Sequence, residues 1–516
     1  MKKIITLIVL DGWGLGSKDE TNPIYEAKLE TIDFLEKNFP AFSLQASGLA
    51  LGLPYNEEGN SELGHMTIGA GRIIEGHSKR ISNAIKDGSF FKNKTFLSLI
   101  NWTKKYNSNL HLVGLLGSGN VHSSLEHLKA ILLFLKNNSF QNYYLHLISD
   151  GRDSPPNSFS SILKEISSYL NIDILSKTAS ICGRYYAMDR DKRFERTEKA
   201  YKALVGETLP IPEANLDGAI ANVYAKGLND EYLECVSLEG KKPISENDAV
   251  FFFNFREDRM RQLAGCFVDK NFNHFPVKKF NNLLVATMVP YDKNFENPVI
   301  FPYIPLKNTL GEVISLNGKS QLRIAETEKY AHVTYFFNGL REEPFNFEYR
   351  ILIPSSGNFR YNKNPEMMAK PITDRVLSAL VEGNYDFILV NYANPDMVAH
   401  TGDFDATKAA VKFVDLELSR IVNTVLSLNH ICIITSDHGN AETLIDNYGQ
   451  FETKHNPNPV PLYFVGKEFQ GQRSEKNLYT TIGMLSDLAP TILEIMKLPV
   501  PEEMTGQSLL PQIISY

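Results

Sequence analysis

Ile4-Ile5-Thr6-Leu7-Ile8-Val9-Leu10-Asp11-Gly12-Trp13 decides how the chain is read: seven residues, nearly all apolar, stop abruptly on an aspartate and a glycine. Met1-Lys2-Lys3 ahead of them mimic the start of a signal peptide. The run is short, however, and passes into Asp11 with no small-x-small cleavage pattern. A short run that is apolar on both faces reads instead as a strand buried in a parallel sheet.

The same pattern recurs along the chain. Leu110–Leu116 ends at Gly117-Ser118-Gly119-Asn120, Leu145–Ile148 at Ser149-Asp150-Gly151-Arg152-Asp153, and Ala179–Cys182 at Gly183-Arg184. Ala249–Phe253 ends at Asn254-Phe255-Arg256, Phe387–Val390 at Asn391-Tyr392-Ala393-Asn394, and Ile431–Ile434 at Ser436-Asp437-His438-Gly439. Helical periodicity lies between these runs. Leu125, Leu128, Leu132 and Leu135 share one helix face; so do Val411, Val414, Leu418, Ile421 and Val425, with Asp405 read as the N-cap. Alternating strand and helix predicts an α/β fold with a mainly parallel sheet, whose ligands bind beyond the carboxyl ends of the strands.

Length sets the number of domains. A chain of 516 residues is too long for one core of ordinary size. Gly71–Gly76 and the proline-rich Asn294–Pro305 are candidate linkers, and two linkers allow one domain to be inserted in another. Composition is that of a soluble globular protein, with 43% hydrophobic and 22% charged residues. The net charge of −7 argues against a nucleic-acid partner, and no apolar run has the length of a membrane span. Cys182, Cys235, Cys266 and Cys432 are scattered with no C-x-x-C pair, so no disulfide scaffold is expected and the location expected is the cytoplasm.

Three groups of residues carry candidate chemistry. Asp396 and His400 stand four apart after Asn394-Pro395, which reads as an N-cap with proline at N1; one helical turn puts both on one face. With Asp11, Asp437, His438 and His455 they give three aspartates and three histidines at or near strand ends. That mixture suits Mn²⁺, Zn²⁺ or Mg²⁺. Any single one of them is explained as well by a turn or a cap. Ser61, in Asn60-Ser61-Glu62-Leu63-Gly64-His65-Met66, is either a helix cap or a nucleophile at a helix N-terminus. A metal would solve its activation problem, and no Gly-x-Ser-x-Gly surrounds it. His122, Arg152, Asp153, Arg184, Arg190, Arg256, Arg259 and Lys329 are candidate holders of a small anion, and an aspartate among them can handle a hydroxyl proton.

These strings closely resemble those of the cofactor-independent (2,3-bisphosphoglycerate-independent) phosphoglycerate mutases of the alkaline phosphatase superfamily. The resemblance rests on Leu10-Asp11-Gly12-Trp13-Gly14, Gly59 through Met66, Ser149 through Asp153, Gly183 through Arg196, Asn254 through Arg259, Glu326 through Thr334, Asn391 through His400 and Asp437-His438-Gly439-Asn440. It implies an alkaline-phosphatase-like metal-binding domain over 1–75 and 304–516, with an inserted α/β, transferase-like, substrate-binding domain over 76–303. It implies that Asp11, Ser61, Asp437 and His438 hold one divalent metal ion and Asp396, His400 and His455 a second. Manganese is the metal expected, with magnesium or cobalt as alternatives, and no 2,3-bisphosphoglycerate is required.

The resemblance further implies a cytoplasmic monomer that interconverts 3-phosphoglycerate and 2-phosphoglycerate through phospho-Ser61. Lys329 and Asp153 assist, and His122, Arg152, Asp153, Arg184, Arg190, Arg256, Arg259 and Lys329 bind substrate. Two places depart from the family pattern. Asn456-Pro457 follows His455 where threonine or serine is common, and Leu340 follows Gly339 where a second glycine is usual. The rivals are a hydrolase or phosphopentomutase on the same metal scaffold, and a non-catalytic phosphate-binding or scaffold protein.

Overall fold

The computed structural model describes residues 3–356, 360–445, 449, 451–471 and 480–514. The chain forms two compact units, residues 1–75 with 304–516, and residues 76–303. In chain order the strands are β1 (Ile5–Leu10), β2 (Ala41–Gln45), β3 (Leu110–Leu116), β4 (Tyr143–Ser149), β5 (Thr178–Gly183), β6 (Val236–Ser237) and β7 (Ala249–Phe252). There follow β8 (Leu284–Thr287), β9 (Gln321–Glu326), β10 (Glu348–Ile353), β11 (Phe387–Tyr392), β12 (Ile431–Thr435), β13 (Val460–Val465) and β14 (Thr481–Met484).

The discontinuous unit is built on an eight-stranded sheet in the order β10-β9-β11-β1-β12-β13-β2-β14. From β10 to β12 all neighbours are parallel, in a register that sets Leu7 beside Leu389 and Ile433. Every residue of β1, β11 and β12 is buried, as runs apolar on both faces require. β13 departs from the parallel expectation by pairing antiparallel with both β12 and β2. The helix Phe404–Ser427 packs Val411, Val414, Leu418, Ile421 and Val425 into this core with no exposure. Leu418→Ala there would cost about 2–5 kcal/mol. The inserted unit has a six-stranded sheet, β6-β5-β4-β3-β7-β8, parallel except for the β5–β6 pair.

Several local expectations are corrected. The cap of Phe404–Ser427 is Asp403, whose carboxylate accepts the Ala406 N–H; Asp405 lies inside the first turn. Asn394 does not cap its helix: it is the first helical residue, and its amide donates to the carbonyls of Pro365 and Glu366. Cys182 and Cys235 are joined as a disulfide, which their scatter in the sequence did not suggest, while Cys266 and Cys432 are free and buried. Leu340 takes a left-handed backbone conformation (φ 70°), one that glycine adopts more readily than leucine.

Candidate functional site

Four neighbouring parallel strands of the discontinuous unit, β9, β11, β1 and β12, deliver their polar loops to one edge of the sheet. Asp11 follows β1, Lys329 follows β9, Asp396 follows β11, and Asp437-His438 follow β12. Ser61 opens the helix Ser61–Ala70, which Asn60 caps by accepting the Leu63 N–H, so Ser61 is left free of the capping role. Two glycines allow the approach. Gly12 has φ 70°, and a Cβ there would lie 2.8 Å from Asp396 Cβ; a Cβ on Gly64 would lie 2.6 Å from the Asp437 carbonyl oxygen.

Ser61 Oγ lies 3.1 Å from Asp11 Oδ1, 2.9 Å from His438 Nε2 and 2.7 Å from Lys329 Nζ. Lys329 Nζ also donates to Asp11 Oδ1 at 2.5 Å and to Asp396 Oδ2 at 2.7 Å. Asp11, Asp437 and His438 converge as one group of metal-binding type, and Asp396, His438 and His455 as a second. His438 thus stands between the two. His400 joins the second group through Asp396 Oδ1 at 3.2 Å and His455 Nε2 at 3.1 Å.

Charge is concentrated here and buried. Burial alone would raise the Asp11 and Asp396 carboxyls, but Lys329 first among their partners holds both well below the ordinary range. Burial would lower the Lys329 ammonium, and Asp11, Asp396 and Asp437 outweigh it and push it up. His438 is likewise driven upward, to about 9, because Asp437 and Asp11 outweigh its desolvation.

The donor set fits a cation. His400 Nδ1 meets the Thr453 carbonyl at 2.8 Å and His455 Nδ1 meets that of Gly59 at 2.9 Å, so each Nδ1 carries the hydrogen. Both Nε2 lone pairs then face each other across 3.1 Å, with Asp396 Oδ1 3.2–3.3 Å from each. Asp437 Oδ2 is fully buried without a hydrogen-bond partner. Lone pairs that converge without hydrogens between them are the chemistry of a metal site.

The inserted unit gathers the other candidates at the carboxyl ends of β3, β4, β5 and β7. Arg184, 3% exposed, reaches Asp150 Oδ1 and Asp153 Oδ2, both at 2.5 Å. His122 lies 3.8 Å from Asp153 and 3.8 Å from Asp258. Asp258 also receives Arg190 at 3.0 Å and Arg256 at 3.4 Å. Arg259 donates to the Met188 carbonyl oxygen at 3.2 Å. Arg152 stands apart, its side chain 56% exposed and 3.8 Å from Glu231. Burial and then Arg184 push His122 down to about 4, and burial followed by Arg190 and Arg184 lowers Arg259. Mutual repulsion among these cations is what an anionic ligand relieves.

Comparison with known proteins supplies the family. The metalloenzyme superfamily model matches residues 3–500. A 2,3-bisphosphoglycerate-independent phosphoglycerate mutase from Clostridioides difficile (strain 630) is 45% identical over 516 residues, 99% of each chain. A second protein of that name, numbered 2, from Methanosarcina barkeri is 43% identical over 526 residues, again 99% of each. The chain belongs to this family. Among solved structures, a Leishmania mexicana phosphoglycerate mutase studied at low cobalt concentration aligns with a TM-score of 0.62 at 28% identity, covering 98% of this chain and 97% of the other.

As a 2,3-bisphosphoglycerate-independent phosphoglycerate mutase the chain is an isomerase and a metalloenzyme. Around the two clusters stand residues to which sequence reasoning gave no role. Asp258 sits among the arginines as their shared carboxylate. Asn440 Nδ2 donates to Asp396 Oδ1 at 2.8 Å. Glu442 clamps the loops by accepting from Gly14 N, Asn440 N and Asn458 Nδ2 at 2.9–3.0 Å. The last contact also anchors the unusual stretch after His455, where Asn456 N–H bonds the Gly439 carbonyl. Asp258 and Asn440 lie inside strings already singled out, and their position there was the available signal. Among the described residues of this mutase no helix is long and apolar enough to cross a membrane.

Proposed function

We propose that this enzyme interconverts 3-phosphoglycerate and 2-phosphoglycerate, in glycolysis and gluconeogenesis, by passing the phosphoryl group through Ser61. The observation that carries the reading is the setting of Ser61 Oγ, at a helix N-terminus and within 3.1 Å of a carboxylate, an imidazole and an ammonium. Asp11, Ser61, Asp437 and His438 would hold one divalent cation, and Asp396, His400 and His455 the other. Mixed carboxylate and imidazole suits manganese, with magnesium and cobalt as competitors. Bound there, the cations lower the pKa of the serine hydroxyl and offset charge on the phosphoryl oxygens.

The chain's own residues do the rest. Ser61 releases its hydroxyl proton to solvent, Oγ attacks phosphorus, the bond from phosphorus to the substrate oxygen breaks, and phospho-Ser61 forms. Lys329 meets the charge that builds on the transferring group. Arg152, Arg184, Arg190, Arg256, Arg259 and His122 hold the glycerate. Asp153, protonated at the start, gives its proton to the departing oxygen and regains one from the neighbouring hydroxyl as that oxygen attacks phospho-Ser61, while the freed Ser61 Oγ takes a proton back from solvent. The reading places a monomer in the cytoplasm, working on small molecules with no nucleic-acid or membrane partner.

An enolase-coupled assay without added 2,3-bisphosphoglycerate tests it. The parent should turn over, and Ser61→Ala should lose activity by roughly 10⁴-fold or more while still binding 3-phosphoglycerate. Release of inorganic phosphate with no 2-phosphoglycerate would make the protein a hydrolase instead.

A further inference from the structure

Behind the Ser61 centre lie two buried side chains that no step above employs. His65 is one helical turn beyond Ser61 and fully buried. Its Nδ1 is 2.9 Å from the Ser61 carbonyl oxygen and 3.1 Å from Asp437 Oδ2. Its Nε2 is 3.0 Å from Asn391 Nδ2, and that same amide nitrogen is 2.7 Å from Asp11 Oδ2. Asn391 is fully buried too, next to the last residue of β11.

Donor and acceptor roles follow from this arrangement. An amide NH₂ only donates, so Asn391 gives one hydrogen to Asp11 Oδ2 and the other to His65 Nε2. Nε2 is therefore an acceptor, and Nδ1 carries the hydrogen that points to the Ser61 carbonyl. The Nδ1 contact with Asp437 Oδ2 is close but out of line for a hydrogen bond, since that oxygen has no hydrogen-bond partner. Asp437 Oδ2 keeps its lone pairs, 3.6 Å from His438 Nε2.

We propose that His65 and Asn391 are positioning residues for the metal ligands, an inference that rests on the two-metal reading above. Asn391 occupies the far oxygen of Asp11 and so turns Oδ1 toward Ser61 Oγ at 3.1 Å and His438 Nε2 at 3.5 Å. His65 ties the first turn of the Ser61 helix and lays its ring edge against Asp437. Three proposed ligands from three distant stretches of chain, Asp11, Ser61 and Asp437, are thereby set from behind by one connected pair. Partners in this position fix the orientation and basicity of ligands, and their loss characteristically weakens metal binding.

The test is a calorimetric Mn²⁺ titration of the metal-stripped full-length protein, the single variants His65→Ala and Asn391→Ala, and the double variant. Each single change should weaken Mn²⁺ binding by about 10–100-fold. The double variant should lose less than the two single losses combined, because the hydrogen bond between His65 and Asn391 couples them. His65→Asn, which keeps a donor near the Nδ1 position, should recover part of the loss. The kcat should fall while KM for 3-phosphoglycerate stays within about twofold. A folded variant that binds Mn²⁺ within about twofold of the parent, or losses that simply add in the double variant, would overturn the positioning role. Should His65→Ala fail to fold, Asn391→Ala and His65→Asn decide the matter by the same titration. The titration gives its answer whether or not the parent turns over phosphoglycerate, and turnover judges the functional reading separately.

Discussion

In the discontinuous unit carboxylates win over burial at the strand-end histidines His438 and His400; in the inserted unit burial and arginine charge win at His122, although Asp153 and Asp258 lie 3.8 Å away. His438 is driven up to about 9 by Asp437 and Asp11, and His400 is raised by Asp396. His122 is driven down to about 4 by burial and Arg184. Both units use the same device, loops at the carboxyl ends of buried parallel strands, and differ in the sign of the charge placed there. On the proposed reading, the carboxyl ends of the strands fix where a ligand binds, and the residues of the loops decide whether it is a cation or an anion.

The largest effects should separate the two sides cleanly. Asp396→Ala removes the carboxylate that meets Lys329, His400 and His455. It should lose about one equivalent of metal and on the order of 10³-fold or more in turnover. Arg256→Ala, at a half-exposed side chain, should keep full metal content and raise KM roughly tenfold, as expected for a charge-assisted contact. Metal analysis and the coupled assay read both. Metal loss in the arginine variant would break the division.

The response to pH should also differ: the discontinuous unit sets His438, raised to about 9, against His332, lowered to about 3 by burial, whereas His122 and His127 of the inserted unit are both lowered. His122 and His127 are both held at about 4 in the folded protein, chiefly by burial, below their ordinary 6.5. The unfolded chain therefore binds more protons between those values. The inserted unit should lose stability as pH falls through this window, by about 1 kcal/mol per pH unit for each histidine. In metal-stripped protein His438 titrates near 9 when folded, so its contribution is full below 6.5 and is lost as pH rises through 9. Hydrogen exchange resolved by peptide should show acid opening the inserted unit first and alkali loosening the discontinuous one. The same order of opening at both ends of the range would erase the contrast.

Smaller effects belong to the discontinuous unit alone. Asp403→Ala removes the true cap of Phe404–Ser427 and should cost about 1 kcal/mol, whereas Asp405→Ala should be nearly neutral. Leu340→Gly relieves a left-handed leucine and should stabilise by about 0.5–1 kcal/mol. Thermal melts of the variants check both, and neither change should move exchange in the inserted unit.

What was legible in the sequence divides along physical lines. Runs buried on both faces, such as those of β1, β3 and β12, announce themselves by composition. β9 does not, because Gln321 and Arg323 interrupt its apolar character; Arg323 is buried by stacking on Phe337 and Phe387. β10 hides because it is a half-exposed sheet edge. The strand-end residues could be sorted locally into candidate metal ligands and candidate anion holders, while the division of the ligands between two metal ions came from the family resemblance. His65 and Asn391 lie inside quoted strings yet received no role, because the contact between them and that of Asn391 with Asp11 span hundreds of residues in sequence.

The central claim is that the phosphoryl group passes through Ser61. The parent enzyme, loaded with Mn²⁺, can be mixed with 3-phosphoglycerate carrying a labelled phosphoryl group, quenched in acid within a turnover and digested. The label should appear on the peptide that contains Ser61, as an acid-stable phosphoserine, and should be absent when Ser61→Ala is treated in the same way. Protein-bound label that survives an alkaline quench but is lost in acid, as on a histidine, or an active parent that never labels Ser61, would contradict the account.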